Sequence, residues 1–92
     1  MCLCGMLAAE HATLPPPMQD ELRRFFDMNE EWLARVVEQG REVGTLRFDG
    51  PAREVAQLLL ASLEGAMLVA RSYDDVARFE LSAGRLLDEL KR

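Results

Sequence analysis

Along residues 55–73, VAQLLLASLEGAMLVARSY, apolar and small residues occupy almost every position. Wound as a helix of about 3.6 residues per turn, the stretch places Gln57, Glu64 and Arg71, which recur seven apart, in one narrow stripe. Val55, Leu58, Leu59, Ser62, Leu63, Ala66, Met67, Val69 and Ala70 take one side, and Leu60, Ala61, Gly65 and Leu68 take the others. A surface helix buries about one third of its circumference, whereas one that is apolar nearly all round is buried by several neighbours. A chain of 92 residues supplies few neighbours, so a second copy of the chain is expected to supply some of them. Ala61 and Gly65, one turn apart, leave room for another helix to come close. The plainer alternative makes this the central helix of a monomeric bundle.

The flanking segments show ordinary amphipathic periodicity. Residues 18–43 place Leu22, Phe25, Phe26, Leu33, Val36 and Val37 on one face, with Trp32 at its edge. Charged residues from Asp20 to Arg35 cover the remainder. Gly40 falls on the apolar stripe, where a missing side chain lets a neighbour pack close, and Gly44 is the better helix stop. Residues 45–50, TLRFDG, form a short loop that Leu46 and Phe48 pin to the core. Pro51 opens the central helix, since proline suits a first turn. Ser72 or Asp74 is the expected cap of the last helix. That helix, residues 75–91, carries Val76, Phe79, Ala83, Leu86, Leu87 and Leu90 as a stripe and turns Arg78, Ser82, Arg85 and Glu89 to water.

At the other end, residues 1–13 read as the tail of a helix that is apolar on every side. No N-cap precedes Cys2, so this segment is expected to be cut from something longer. The prolines at 15–17 end it. No run alternates as a strand would. The expected fold is therefore all-α, an antiparallel bundle of about four helices forming one domain over residues 1–92.

Composition narrows the function classes. The net charge of −5 argues against duplex DNA or RNA as a direct partner, since phosphate binding needs a basic face and the sequence presents none. No basic amphipathic helix suits a membrane surface. The longest apolar run carries Gln57 and Glu64, which argues against a transmembrane span. The only cysteines, Cys2 and Cys4, are too close together for a disulfide framework, which fits a reducing cytoplasm.

Three pieces of the chain together resemble a known family. They are CLCGMLAAEH followed by a proline-rich break, the turn Gly40, Gly44, Leu46 written loosely as G-x-x-x-G-x-L, and the closing stretch 79–90. The chain resembles the C-terminal, ligand-binding and dimerisation domain of tetracycline-repressor (TetR) family transcription regulators. The resemblance implies a first segment that floors a ligand pocket. It also implies that the last two helices pack with their two-fold mates as a four-helix bundle. The family's N-terminal helix-turn-helix domain has no counterpart in these residues. Interface candidates are accordingly Leu58, Ala61, Ser62, Gly65, Leu68, Val69, Phe79, Leu86 and Leu90. Pocket candidates are Cys4, Leu7, His11, Phe25, Asn29 and Trp32.

Several of these residues also admit simpler roles. Cys4 and His11 are seven apart on one face, but zinc sites need about four ligands. No metal or cofactor is expected, and Cys4 serves equally as a small buried hydrophobe. Asn29, inside an apolar stripe, needs a hydrogen bond, either to a ligand or to a carbonyl of a neighbouring helix. Trp32, Phe25 and Met28 fit a cavity wall or plain core. Glu64 and Arg71 either pair across a two-fold axis or are solvated. No nucleophile motif, phosphate loop or histidine-flanked carboxylate pair is present, so an enzyme is not expected. The expected function is effector sensing and homodimerisation in a bacterial regulator, with a small hydrophobic ligand. The alternative is a small helical dimeric adaptor that binds no ligand.

Overall fold

The computed structural model describes residues 3–91, with Leu3 described in its backbone alone. Four helices follow one another: α1 (Leu3–Ala9), α2 (Pro16–Val43), α3 (Ala52–Ser72) and α4 (Val76–Leu90). A short 3₁₀ turn, His11–Thr13, sits between α1 and α2. The first helix is therefore shorter than residues 1–13, and Cys2 lies outside the described residues. Two side chains hold the turn that replaces its last residues: Thr13 Oγ1 donates to the Glu10 carbonyl at 2.7 Å, and Gln19 Nε2 donates to the His11 and Leu14 carbonyls at 2.9 and 3.0 Å.

The prolines begin α2 rather than merely ending α1. Pro16 and Pro17 occupy its first turn, with Pro15 as N-cap. The first N–H groups of a helix have no intrahelical acceptor, so losing a donor there costs nothing. At the other end Gly44 takes a left-handed conformation, φ 85°, as C-cap. Arg41 then organises the connection to α3. Its guanidinium lies 4.2 Å from the Phe48 ring centroid, donates to the Gly50 carbonyl at 2.8 Å and pairs with Glu38. Leu46 pairs with Lys91 in an isolated antiparallel bridge, and the Arg47 N–H donates to the Leu90 carbonyl at 2.8 Å. The loop thus ties the end of α2 to the end of α4. The last helix is capped by Asp75, whose carboxylate accepts from the Ala77 N–H at 3.0 Å. Ser72 and Asp74 do not cap it. Asp74 instead makes the turn, at φ 51°.

α3 lies between α2 and α4, and α1 rests on α2. This arrangement is flat: the Cα extents are 43 × 31 × 15 Å. The Cα cylinder of one helix is about 5 Å across and packed helices lie about 8–10 Å apart, so the body is no more than about two helix layers deep. Few positions can then be enclosed. Leu22, Val37, Ala56, Leu59 and Ala70 are the buried hydrophobic residues among those described, and no large side chain is fully enclosed. Phe25, Val36 and Trp32, read as one face of the second helix, are exposed together with Met28. By length and composition α3 would also pass as a membrane span, with mean hydropathy 1.3. Packing along α2 and α4, and the polar Gln57, Glu64 and Arg71, mark it as the centre of a bundle.

Gly40 explains how the loop reaches the bundle. A Cβ there would lie 2.5 Å from Leu46 Cδ1, 2.7 Å from its Cγ and 3.2 Å from its Cβ. In a free helix Gly→Ala stabilises by about 0.5–1 kcal/mol. Here the methyl displaces Leu46 and strains its bridge to Lys91, an overpacking cost of about 1–3 kcal/mol. Gly40→Ala is therefore expected to lower the unfolding free energy by roughly 1 kcal/mol in a denaturant titration. A gain in stability would show that the Leu46 contact is not tight.

Candidate functional site

Two clefts flank α1. The first, of about 320 Å³, lies between α1 and the start of α2 and is lined by Cys4, Leu7, Pro17, Met18, Glu21, Leu22 and Phe25. It brings together three of the pocket candidates: Cys4, Leu7 and Phe25. The other three lie elsewhere. His11 sits half-buried in the 3₁₀ turn, its carbonyl taken by Gln19. Asn29 Nδ2 donates to the Phe25 carbonyl of its own helix at 2.8 Å, not to a neighbouring helix. Trp32, 55% exposed, borders a separate groove with Val36 and Ala52.

The second cleft, of about 310 Å³, opens on the other side of α1. Gly5 and Ala8 of α1, Phe26 and Glu30 of α2, and Gln57, Leu60, Ala61, Glu64, Gly65 and Leu68 of α3 line it. Its walls are mostly apolar, with three polar side chains converging, which is the usual make-up of a small-molecule site. Glu64 is half-buried here, and its Oε2 is shielded from solvent with no hydrogen-bond partner.

Charge around this cleft is unevenly compensated. Arg53, at the start of α3, reaches three carboxylates of α2: Glu30 at 3.2 Å, Asp27 at 3.8 Å and Glu31 at 3.9 Å. That network fastens α3 to α2 and satisfies Glu30. Glu64 lies further along α3 and makes no ion pair among the described residues. No group of three or more His, Cys, Asp or Glu side chains among the described residues is placed to hold a metal.

Along α3, Leu58 is 63% exposed, Leu68 51% and Val69 50%, and Leu68 borders the second cleft as well. Ala61 and Gly65 are exposed between them, and a Cβ on Gly65 would meet nothing within 4 Å. Ser62 lies at the edge of this row and is half-buried, as are Phe79, Leu86 and Leu90 of α4. Ser62 and Leu86 border a shallow groove between α3 and α4, with Arg85 and Glu89 on its far side.

The family model for tetracyclin repressor-like C-terminal domains matches residues 1–84. The chain belongs to this family. Solved structures place the TetR-like domain in the same group. A TetR-family transcriptional regulator from Agrobacterium tumefaciens is 35% identical, covered over 100% of this chain and 48% of its own, with TM-score 0.95. NemR of E. coli in its reduced form is 27% identical over 97% of this chain and 48% of its own, with TM-score 0.89. A TetR regulator from Legionella pneumophila is 29% identical over 99% and 46%, with TM-score 0.82. The chain spans about half the length of each of these regulators. No curated protein sequence matches it.

Within this TetR-like domain, the second cleft is the feature that sequence reasoning passed over. Glu64 reads as part of a polar stripe, either paired across a two-fold axis or solvated, because helical spacing alone does not say where α1 crosses. Its signal was nonetheless present: one carboxylate on a helix turn otherwise filled by Leu60, Ala61, Gly65 and Leu68.

Arg53 offers a direct test of what joins α2 to α3. Arg53→Gln removes the cation from among three carboxylates. Partly exposed ion pairs contribute about 0.2–1 kcal/mol each, so stability is expected to fall by roughly 1 kcal/mol at low salt. The loss should narrow in molar salt as the charges are screened. Denaturant titrations at two salt concentrations check this. An equal loss at both would mean that Arg53 acts through its aliphatic stem.

Proposed function

We propose that this TetR-like domain is the effector-sensing and pairing half of a bacterial, cytoplasmic transcription regulator. It forms a homodimer through α3 and α4, accepts a small hydrophobic ligand beside α1, and catalyses no reaction. Contact with DNA is left to other parts of the regulator, since this chain carries a net charge of −5 and duplex binding needs a basic face. Leu58, Ala61, Ser62, Gly65, Leu68 and Val69 form the α3 side of the dimer contact, and Phe79, Leu86 and Leu90 back it from α4. Cys4, Leu7 and Phe25 belong to the ligand wall. His11, Asn29 and Trp32 lie outside both clefts.

The observation that carries this reading is the outward row on α3. Two helices already cover α3, yet Leu58, Leu68 and Val69 remain at least half exposed around an open Gly65. Contiguous apolar surface of this kind marks an interaction site, and an isologous pair is the commonest closed solution. Family membership supports the regulator assignment. In mechanism, a ligand beside α1 acts on α3 directly, because the second cleft is walled by the same turn of α3 that carries Ala61 and Gly65. A ligand that prefers one spacing of the two copies would shift the population toward it, by as much as its differential affinity for the two spacings.

The test is the solution mass of the parent chain and of a Leu58→Glu, Val69→Glu double variant by sedimentation velocity. Both positions are exposed in the single chain, so helical circular dichroism should persist. An unpaired charge on each side of a desolvated contact should weaken the dimer about a hundredfold or more. The parent is expected to sediment as a dimer and the variant as a monomer. Equal mass for the two would remove α3 from the contact, and a monomeric parent would remove the pairing altogether.

A further inference from the structure

We propose that the cleft between α1, α2 and α3 takes an organic monocation with an apolar body, its positive centre set against Glu64. This rests on the reading of the domain as an effector sensor and adds the chemical class of the effector. The cleft's body is apolar, with Phe26, Leu60 and Leu68 on its walls, and its volume of about 310 Å³ falls at the small end of the range for drug-sized ligands. A neutral apolar molecule would satisfy those walls and leave the carboxylate uncompensated.

The polar groups decide the sign of the charge. Glu30 already has a cation, Arg53, at 3.2 Å. Gln57 is neutral and can orient a ligand but not select its charge. Glu64 has an oxygen shielded from solvent with no donor and no ion pair among the described residues. A carboxylate oxygen in apolar surroundings without a partner is uncompensated. A ligand cation supplies the missing charge, while an anion placed there would meet Glu64 and Glu30 together. Phe26 lines the cleft, and an aromatic ring within reach of a cation attracts it through its π face. With a net charge of −5, the whole chain also favours the approach of cations.

A matched pair of dyes isolates the charge. Dimethylaminostyryl-methylpyridinium is a fluorescent monocation without an N–H, and its unmethylated pyridine parent is neutral in mildly alkaline buffer. Fluorescence polarisation follows each dye against the full chain, the Glu64→Gln variant, and a Glu80→Gln control, which removes one charge from the exposed surface of α4. At a few ångströms even a well-screened charge pair changes affinity substantially. The cationic dye is expected to bind the parent chain about tenfold or more tightly than the neutral one. Glu64→Gln should bring the two to similar affinity, and Glu80→Gln should leave the preference intact. Equal binding of both dyes to the parent chain would overturn the cation inference and leave the sensor reading standing. A preference that survives in Glu64→Gln would overturn the placement. Absence of binding by either dye would count against the inference and the sensor reading alike.

Discussion

α3 has apolar or small residues on nearly every side, and its own chain encloses only part of them. α2 and α4 bury Ala56, Leu59 and Ala70. Leu58, Leu68 and Val69 remain exposed, in a slab only 15 Å thick. A domain of about this size buries a modest fraction of its unfolded surface even when well rounded, and a flat one buries less. The openness of Gly65 and the sparse core both follow from so thin a bundle. Under the proposed pairing, a second copy set against α3 would complete a thicker body.

Polar contacts place the helices rather than hold them together. Arg41 gathers the loop after α2 against Phe48 and Gly50, and the Leu46–Lys91 bridge carries that loop to the end of α4. Arg53 spans from α3 to three carboxylates of α2. Each interaction is partly exposed and individually modest. Together they fix the register of α3 against its neighbours, and with it the position of Glu64 beneath α1. The cleft and the outward row of α3 share Ala61, Gly65 and Leu68, so under the proposed pairing a ligand in the cleft would touch the contact between copies itself.

The number of helices and most of their bounds were legible in the residues because proline and glycine punctuate strong periodic segments. Gly44 stops α2 at φ 85°, and Gly40 sits on the apolar stripe against Leu46, both as the pattern requires. The family was legible from the same punctuation. Proline at 16–17 was ambiguous, since it ends one helix and suits the first turn of the next. The break after Ala9 has no local signal and depends on Gln19, which reaches back to His11 and Leu14. The candidate site was half legible. Cys4, Leu7 and Phe25 meet because α1 folds back on α2. Asn29 closes on its own helix, and Glu64 is drawn into a cleft by the path of α1. Both outcomes are set by tertiary crossing, which spacing along one helix does not encode.

Cooperative unfolding of the parent chain, followed across about a hundredfold range of protein concentration, tests the completion of α3 by a second copy most directly. Association coupled to folding makes the melting temperature depend on concentration by mass action. A melting temperature that climbs steadily with concentration is the predicted result. One cooperative transition at the same temperature throughout would contradict it, because the single chain would then be a finished fold.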